Sequence, residues 1–282
     1  MSKLYINPTG GLANRMRAMA GGLAMARDFG FGAEVLWPVN KDLGASFDRL
    51  FLMPEMDIEI KNVAALPDLF LFDEPRKKNF FLSQICHKAR FSRCFFDNGT
   101  ENPIMGLGRE DLQGFARILV RSGLAIYPFS REMYRELFRP LPHIEEIAEN
   151  AVSGQSGLIG LHIRRTDNRM SIENSPDRMF FDIIDRTLAE DSSSRFYLAS
   201  DDAGVKDEFL RRYGRGTILT MDRPVARNTA DGMGDALAEM IVLSRCRIVY
   251  GSYWSSFSEA AALLGGTRLV ALKADRRNGA DA

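Results

Sequence analysis

Apolar and polar positions along the chain fall into blocks that repeat one theme: a short apolar run, a glycine or polar break, then a segment of helical length. KLYIN (residues 3–7) predicts a strand, PTGG a tight turn, and LANRMRAMAGGLAMARDFG a helix that stops at Gly30 or Gly32. AEVLWPV supplies the next strand. Strand, glycine turn, helix and strand make a βαβ unit, from which parallel doubly wound sheets are built. The helix carries Ala18, Ala20, Gly21, Gly22, Ala24 and Ala26, and side chains this small let a helix lie close against a sheet. After Asp48 the pattern is less regular. An aromatic run, RCFFD, precedes a strand candidate at GFARILV, and YRELFRPLPHIEEIAENAV reads as a helix interrupted by its prolines before the polar break SGQSG.

From Leu158 the alternation is clean. Strands are expected at LIGLHI, RFYLAS, TILTM, CRIVYG and RLVAL, and helices at DRMFFDIIDRTLAE, AGVKDEFLRRYG, MGDALAEMIVLSR and SFSEAAALLGG. Together they describe a five-strand Rossmann-like domain with no repeat of the solenoid kind. The polar break places a boundary that gives an N-terminal Rossmann-like domain over 1–150 and a C-terminal one over 151–282. The fold class expected is α/β, with two Rossmann-like domains facing a central cleft.

Composition narrows the function classes. At 45% hydrophobic and 26% charged over 282 residues, the chain is an ordinary folded protein rather than a disordered one. Its 37 basic and 37 acidic residues cancel, so no global field draws it to nucleic acid or anionic lipid, and an anion site has to come from local clustering. Cys86, Cys94 and Cys246 are an odd, scattered set with no paired metal spacing, and the N-terminus lacks the basic start and apolar stretch of a signal peptide. These features predict a cytoplasmic, bacterial-type protein. The apolar runs fall short of the roughly 20 residues that span a bilayer, so no membrane span is expected.

Local charge collects where strands end. In PTGGLANRMR, Gly10 and Gly11 precede Asn14 and Arg15 at a strand-to-helix turn, where free backbone N–H groups and the helix dipole favour a phosphate. A plain tight turn explains the same glycines, and the stretch has neither the Lys-Ser/Thr of a P-loop nor the third glycine of a dinucleotide fingerprint. HIRRTD is sharper. His162, Arg164 and Arg165 stand where a parallel strand emerges at its carboxyl edge, the place where open α/β sheets bind ligands. Alternation puts His162 and Arg164 on one face and Arg165 on the other, so one arginine reaches a ligand while its neighbour pairs with Asp167 or another carboxylate to hold the loop. A surface salt-bridge cluster is the competing reading. YLASDD ends another strand in Asp201 and Asp202, which cap the next helix or form an acidic metal pair; adjacent spacing and the lack of neighbouring histidines favour the cap. In GSYWSSFSEAA, Ser255, Ser256 and Ser258 mark a helix start, where serine is commonly an N-cap and where several hydroxyls also cradle a diphosphate.

The order GGLANRMR, HIRRTD, YLASDD and then an acidic helix running into WSSFSEAA resembles the GDP-fucose-dependent fucosyltransferase superfamily, which includes the α1,6-, nodulation-factor, α1,2- and protein O-fucosyltransferases. The resemblance touches both halves of the chain and is strongest from Leu158 onward. It implies a GT-B architecture, with the N-terminal domain on the acceptor side and the C-terminal one binding the nucleotide sugar, and a glycosyltransferase that moves fucose from GDP-fucose to a glycan hydroxyl, inverting and without cofactor or metal. Carried over by position, His162 and Arg164 contact the GDP diphosphate, Ser255, Ser256 and Phe257 close around it, and Glu239 stands where the family has an acidic residue reading guanine. Asn14 and Arg15 approach the β-phosphate and the acceptor. In the α1,6 branch a lysine and then a glutamate, the proposed base, follow RRTD; here Asn168 stands at the lysine position and Glu173 is offset from the glutamate. The candidate catalytic residues are thus Arg164, Glu173, Asn14 and Arg15, and the candidate donor-binding residues Gly10, Gly11, His162, Arg164, Arg165, Asp201, Glu239, Ser255, Ser256 and Phe257.

The chemistry also stands without the resemblance. Breaking the C1–O bond of a nucleoside-diphosphate sugar builds charge on the departing diphosphate while the sugar becomes oxocarbenium-like. A fixed guanidinium aimed at that oxygen stabilises the transition state more than the ground state, by typically a few kcal/mol. A carboxylate on the acceptor side takes the hydroxyl proton. Two other functions fit the same residues: a transferase using a different nucleotide sugar, and a non-catalytic nucleotide- or glycan-binding protein on the same scaffold.

Overall fold

The computed structural model describes residues 2–64, 81–97, 106–223 and 226–274. The chain divides into two compact units, the first comprising Met1–Leu141 and Arg227–Met233, the second Pro142–Ala226 and Gly234–Ala282.

In the first unit β1 (Lys3–Pro8) leads through a glycine turn into α1 (Leu12–Phe29) and on to β2 (Gly32–Pro38), the βαβ unit read from the sequence. β3 (Glu59–Val63), α2 (Leu82–Arg90), β4 (Arg93–Phe96), α3 (Arg109–Leu112), β5 (Arg117–Ser122) and α4 (Arg131–Leu137) follow. The sheet is parallel in the order β3-β2-β1-β5-β4. Leu4, Ile6, Val35, Leu36, Ile118 and Leu119 bury its centre. α1 lies close to β1 because it carries glycine there: a Cβ on Gly22 would stand 2.8 Å from the Ile6 side chain. The helix ends at Gly30, whose φ of 70° is the left-handed conformation that stops the run.

The proline-interrupted helix is two helices, α4 and α5 (Pro142–Val152), and α5 belongs to the second unit. Its Ile144 and Ala148 are fully buried, and Glu145 pairs with Arg245. The dividing point therefore falls between 141 and 142, not between 150 and 151. SGQSG is a turn inside the second unit, where Ser153, Gly154 and Gly157 all take positive φ.

The second unit continues with β6 (Ile159–Ile163), α6 (Arg169–Asn174), α7 (Asp177–Glu190), β7 (Phe196–Ser200), α8 (Ala203–Tyr213), β8 (Ile218–Leu219), α9 (Ala230–Ser244, of which Gly234 onward belongs to this unit), β9 (Ile248–Ser252), α10 (Ser256–Gly265) and β10 (Arg268–Leu272). Only α6 departs from the expected alternation, forming a helix in a stretch read as loop. The sheet is parallel in the order β10-β9-β6-β7-β8. β6 and β7 are buried at every position, as strands covered on both faces must be. On one face Ile159, Leu161, Phe196 and Leu198 pack with Phe180, Ile184 and Phe209 of α7 and α8. On the other, Gly160 admits the neighbouring side chains: a Cβ there would stand 2.9 Å from Leu243 and 3.3 Å from Cys246. From β6 the chain winds outward to β7 and β8, then crosses back to β9 on the opposite side. That reversal between β6 and β9 opens a crevice at their carboxyl edge.

Candidate functional site

Arg164 follows directly on β6, and β9 runs out at Ser252 into a short turn that starts α10. The two strand ends are laced together. The Arg164 N–H donates to Ser252 Oγ (3.1 Å), Ser171 Oγ to the Tyr253 carbonyl (2.7 Å) and Asn168 Nδ2 to the Trp254 carbonyl (2.8 Å). Ser175 Oγ accepts from the Tyr253 N–H (2.7 Å) and donates to the Leu272 carbonyl (2.6 Å).

At the head of α10, Ser255 occupies the N-cap position but its hydroxyl makes no cap bond. It lies instead 3.4 Å from His162 Nδ1, and the His162 ring stacks on Phe257 with centroids 4.8 Å apart. The Ser255 side chain therefore leaves the first N–H groups of α10 available at the positive end of the helix dipole. Gly251 keeps this corner tight, since a Cβ there would come within 2.5 Å of Ser258 Oγ. Arg164 stands beside it. Its Nη2 pairs with Asp167 at 2.6 Å, while its Nε is buried without a hydrogen-bond partner. A buried N–H left so is costly, and an anionic oxygen would satisfy it.

Arg165 takes a different set of partners. Its guanidinium donates to Asp177 (3.0 Å from Nε), to the Ser175 carbonyl (2.6 Å) and to the Arg164 carbonyl (2.8 Å). The carboxylate that holds it is Asp177, whereas Asp167 belongs to Arg164. Asp201 accepts from the Arg165 N–H (2.7 Å) and the Thr166 hydroxyl (2.6 Å), and Asp202 caps α8 through the N–H groups of Gly204 and Val205. Arg165 and Asp201 thus both tie down the loop that follows β6. Among the described residues, no group of three His, Cys, Asp or Glu side chains is placed to hold a metal ion.

Glu239 is taken up by the fold as well. It lies 2.7 Å from Lys206 Nζ, which also donates to the Met221 carbonyl at 3.1 Å. Burial pushes the Glu239 carboxyl up to about 7, against the pull of Lys206. Glu173, on α6, forms an ion pair with Arg169 one turn earlier and keeps its side chain partly exposed.

The glycine turn of the first unit shows a similar division of labour. Gly10 takes φ 79°, and a Cβ there would meet Asn14 Nδ2 at 2.9 Å; Asn14 Oδ1 is buried without a hydrogen-bond partner. Gly11 is the N-cap of α1. Arg15, expected toward the acceptor, is fully buried. Its Nε donates to the Gly10 carbonyl (2.7 Å), Nη2 to Asn40 Oδ1 (2.8 Å) and Nη1 to the Pro38 carbonyl, with the guanidinium over the Trp37 ring. Burial pulls its pKa down to about 10. This arginine pins the turn after β1 to the end of β2. The lacing roles of Ser252, Ser171 and Ser175 escaped the sequence reading, as did that of Asn168, which stands out there only at the family's lysine position; nothing local marks these partners, which lie 78 to 97 residues apart in the chain.

Neither family models nor curated protein sequences give a match to this chain. Solved structures do. NodZ α-1,6-fucosyltransferase soaked with GDP-fucose matches at TM-score 0.59 and 15% identity, over 93% of this chain and 92% of that one. A variant of FUT1 from Arabidopsis thaliana in complex with GDP matches at TM-score 0.65 and 16% identity, over 98% of this chain and 71% of that one. POFUT1 in complex with GDP matches at TM-score 0.55 and 11% identity, over 96% of this chain and 98% of that one. In its fold, α/β with two parallel five-strand sheets, the chain is therefore similar to GT-B-like fucosyltransferases.

Proposed function

We propose that this chain is a glycosyltransferase that moves fucose from GDP-fucose to a hydroxyl of a glycan. One observation carries the reading: at a single strand switch point, a guanidinium with a buried, unpartnered Nε stands beside a helix N-terminus that its own serine leaves uncapped. Two adjoining positive centres suit the two phosphates of a nucleoside diphosphate better than a single carboxylate. The likeness in fold to structures that hold GDP or GDP-fucose supports the choice of nucleotide and sugar.

In this reading the C1–O bond breaks with its electron pair passing to the diphosphate oxygen. Arg164 and the α10 N-terminus stabilise that charge as it develops, His162 and Phe257 hold the corner in shape, and Ser255 and Ser256 offer hydroxyls to the phosphate oxygens. Such a field does the work of a divalent ion, so transfer is metal-independent. The acceptor hydroxyl attacks the opposite face of the sugar, inverting it, and its proton passes to a carboxylate; Glu173, on the helix that follows Arg164, is the one assigned. In the first unit Gly10, Gly11 and Asn14 are the candidates for substrate contact.

Nucleotide release from a panel of GDP- and UDP-sugars, with and without EDTA, tests the proposal. Release is expected from GDP-fucose above the others and unchanged by EDTA. Preference for a UDP-sugar contradicts the donor, loss with EDTA that manganese restores contradicts metal independence, and GDP binding without any turnover favours a binding protein on the same scaffold.

A further inference from the structure

In the second unit every exposed large hydrophobic side chain among the described residues belongs to one laced segment: Trp254 at 67% exposure, Met170 at 41% and Ile172 at 39%. Met170 and Ile172 flank Ser171, whose hydroxyl holds the Tyr253 carbonyl, and Asn168 holds the carbonyl of Trp254 itself. Trp254 takes φ 60°, a left-handed conformation that a bulky residue adopts only when its surroundings over-determine it. The protein thus holds an indole outward, in a strained backbone, one residue before the α10 N-cap. Burying that ring would be the cheaper arrangement unless something binds it.

The strand order says on which side of the diphosphate it stands. With β6 at the switch point, the nucleoside of a Rossmann-bound nucleotide falls toward the strand that follows β6 in sequence, here β7. Trp254 follows β9, on the other side of β6, and α6 is tied to the ends of β9 and β10 through Ser171 and Ser175. That side is left for sugars. A donor sugar whose anomeric bond is breaking needs shelter from water. The indole is open to it, as befits a surface met by a chain of sugars entering from solvent.

We infer that Trp254, with Met170 and Ile172, is the acceptor platform: an apolar face on which a pyranose ring of the glycan acceptor stacks. The inference rests on the donor reading above. An indole offers a flat apolar body to the C–H face of a pyranose, and the partly exposed carboxylates of Asp167 and Glu173 along the same segment can accept from its hydroxyls beside their ion pairs with Arg164 and Arg169. The flanking polar residues fit a sugar better than an apolar protein surface.

The chain contains two tryptophans, and Trp37 is fully buried, so quenching of fluorescence by acrylamide reports Trp254. Wild-type protein is titrated first with GDP, then with GDP-fucose, and then with GDP plus each of a panel of neutral hexopyranose and N-acetylhexosamine oligosaccharides. GDP should raise the melting temperature while leaving Trp254 open to quencher, and an oligosaccharide should protect it. With that oligosaccharide as acceptor, Trp254→Ala should raise its KM about tenfold with the KM for GDP-fucose unchanged, and Trp254→Phe should restore most of the loss. Protection by GDP or GDP-fucose alone would make Trp254 a donor contact and overturn the platform. So would binding of GDP with no protection by any oligosaccharide. Failure of GDP to bind at all is a separate result that removes the donor reading and the platform with it.

Discussion

Two neighbouring arginines follow β6 and take different partners. Arg164 keeps an unpartnered Nε at the crevice, whereas Arg165 spends its guanidinium on Asp177 and two carbonyls. Arg164→Ala should therefore lower kcat by about a hundredfold or more with little change in melting temperature, on the scale of removing one oxyanion-type donor. Arg164→Lys should recover little of it, because a point charge does not reproduce a planar fork on phosphate oxygens. Arg165→Ala should act through stability, costing about 1–3 kcal/mol as its partners are left unpaired. Steady-state kinetics and thermal melts on the three variants separate these outcomes. Arg15 also holds the fold, and Arg15→Met should cost about 1–3 kcal/mol, since the partly buried Gly10 and Pro38 carbonyls lose their donors. Urea unfolding measures it; a neutral substitution would contradict the pin.

At the scale of elements, α8 and α9 are joined by the buried pair Lys206–Glu239, whose pH dependence has a definite sign. A carboxyl raised from 4.5 to about 7 keeps its proton in the folded protein over a range where the unfolded chain has lost it. Its contribution to stability is whole below 4.5 and is lost as the pH rises toward 7. The stability of wild type relative to Glu239→Gln should fall across that window, measured by urea unfolding at its two ends; a flat difference would contradict it. This pair also shows where sequence reading stops. Glu239 was legible as an acidic residue on a predicted helix, but Lys206 lies 33 residues away and nothing local announces it. Arg15 hid its partners in the same manner, in Pro38 and Asn40 beyond the whole of α1. Elements with a strong pattern were readable: α7 falls on DRMFFDIIDRTLAE, and β6 and β7 on apolar runs. The edge strands β3 and β4 were not, because half-exposed residues such as those of Glu59–Val63 carry little periodicity. α6 was missed because six residues hold less than two turns, and its start is marked only by the Asn168 side chain bonding Ser171 N–H.

At the scale of the whole molecule, the order β10-β9-β6-β7-β8 brings three separate motifs, HIRRTD, YLASDD and WSSFSEAA, to the carboxyl edges of neighbouring strands. Sequence reading could supply those motifs and their strands, and strand order then gathered them. If the site takes guanosine, GDP should raise the melting temperature and UDP should raise it far less, since a ligand stabilises the folded state in proportion to how well it binds it; equal shifts would contradict the choice of guanosine. The most direct measurement is a calorimetric titration of GDP into wild-type protein and into folded Arg164→Ala. Saturable binding to wild type, weakened about tenfold or more in the variant, is the result that a diphosphate held between Arg164 and the head of α10 predicts. Equal binding to both proteins, or none to wild type, would contradict it.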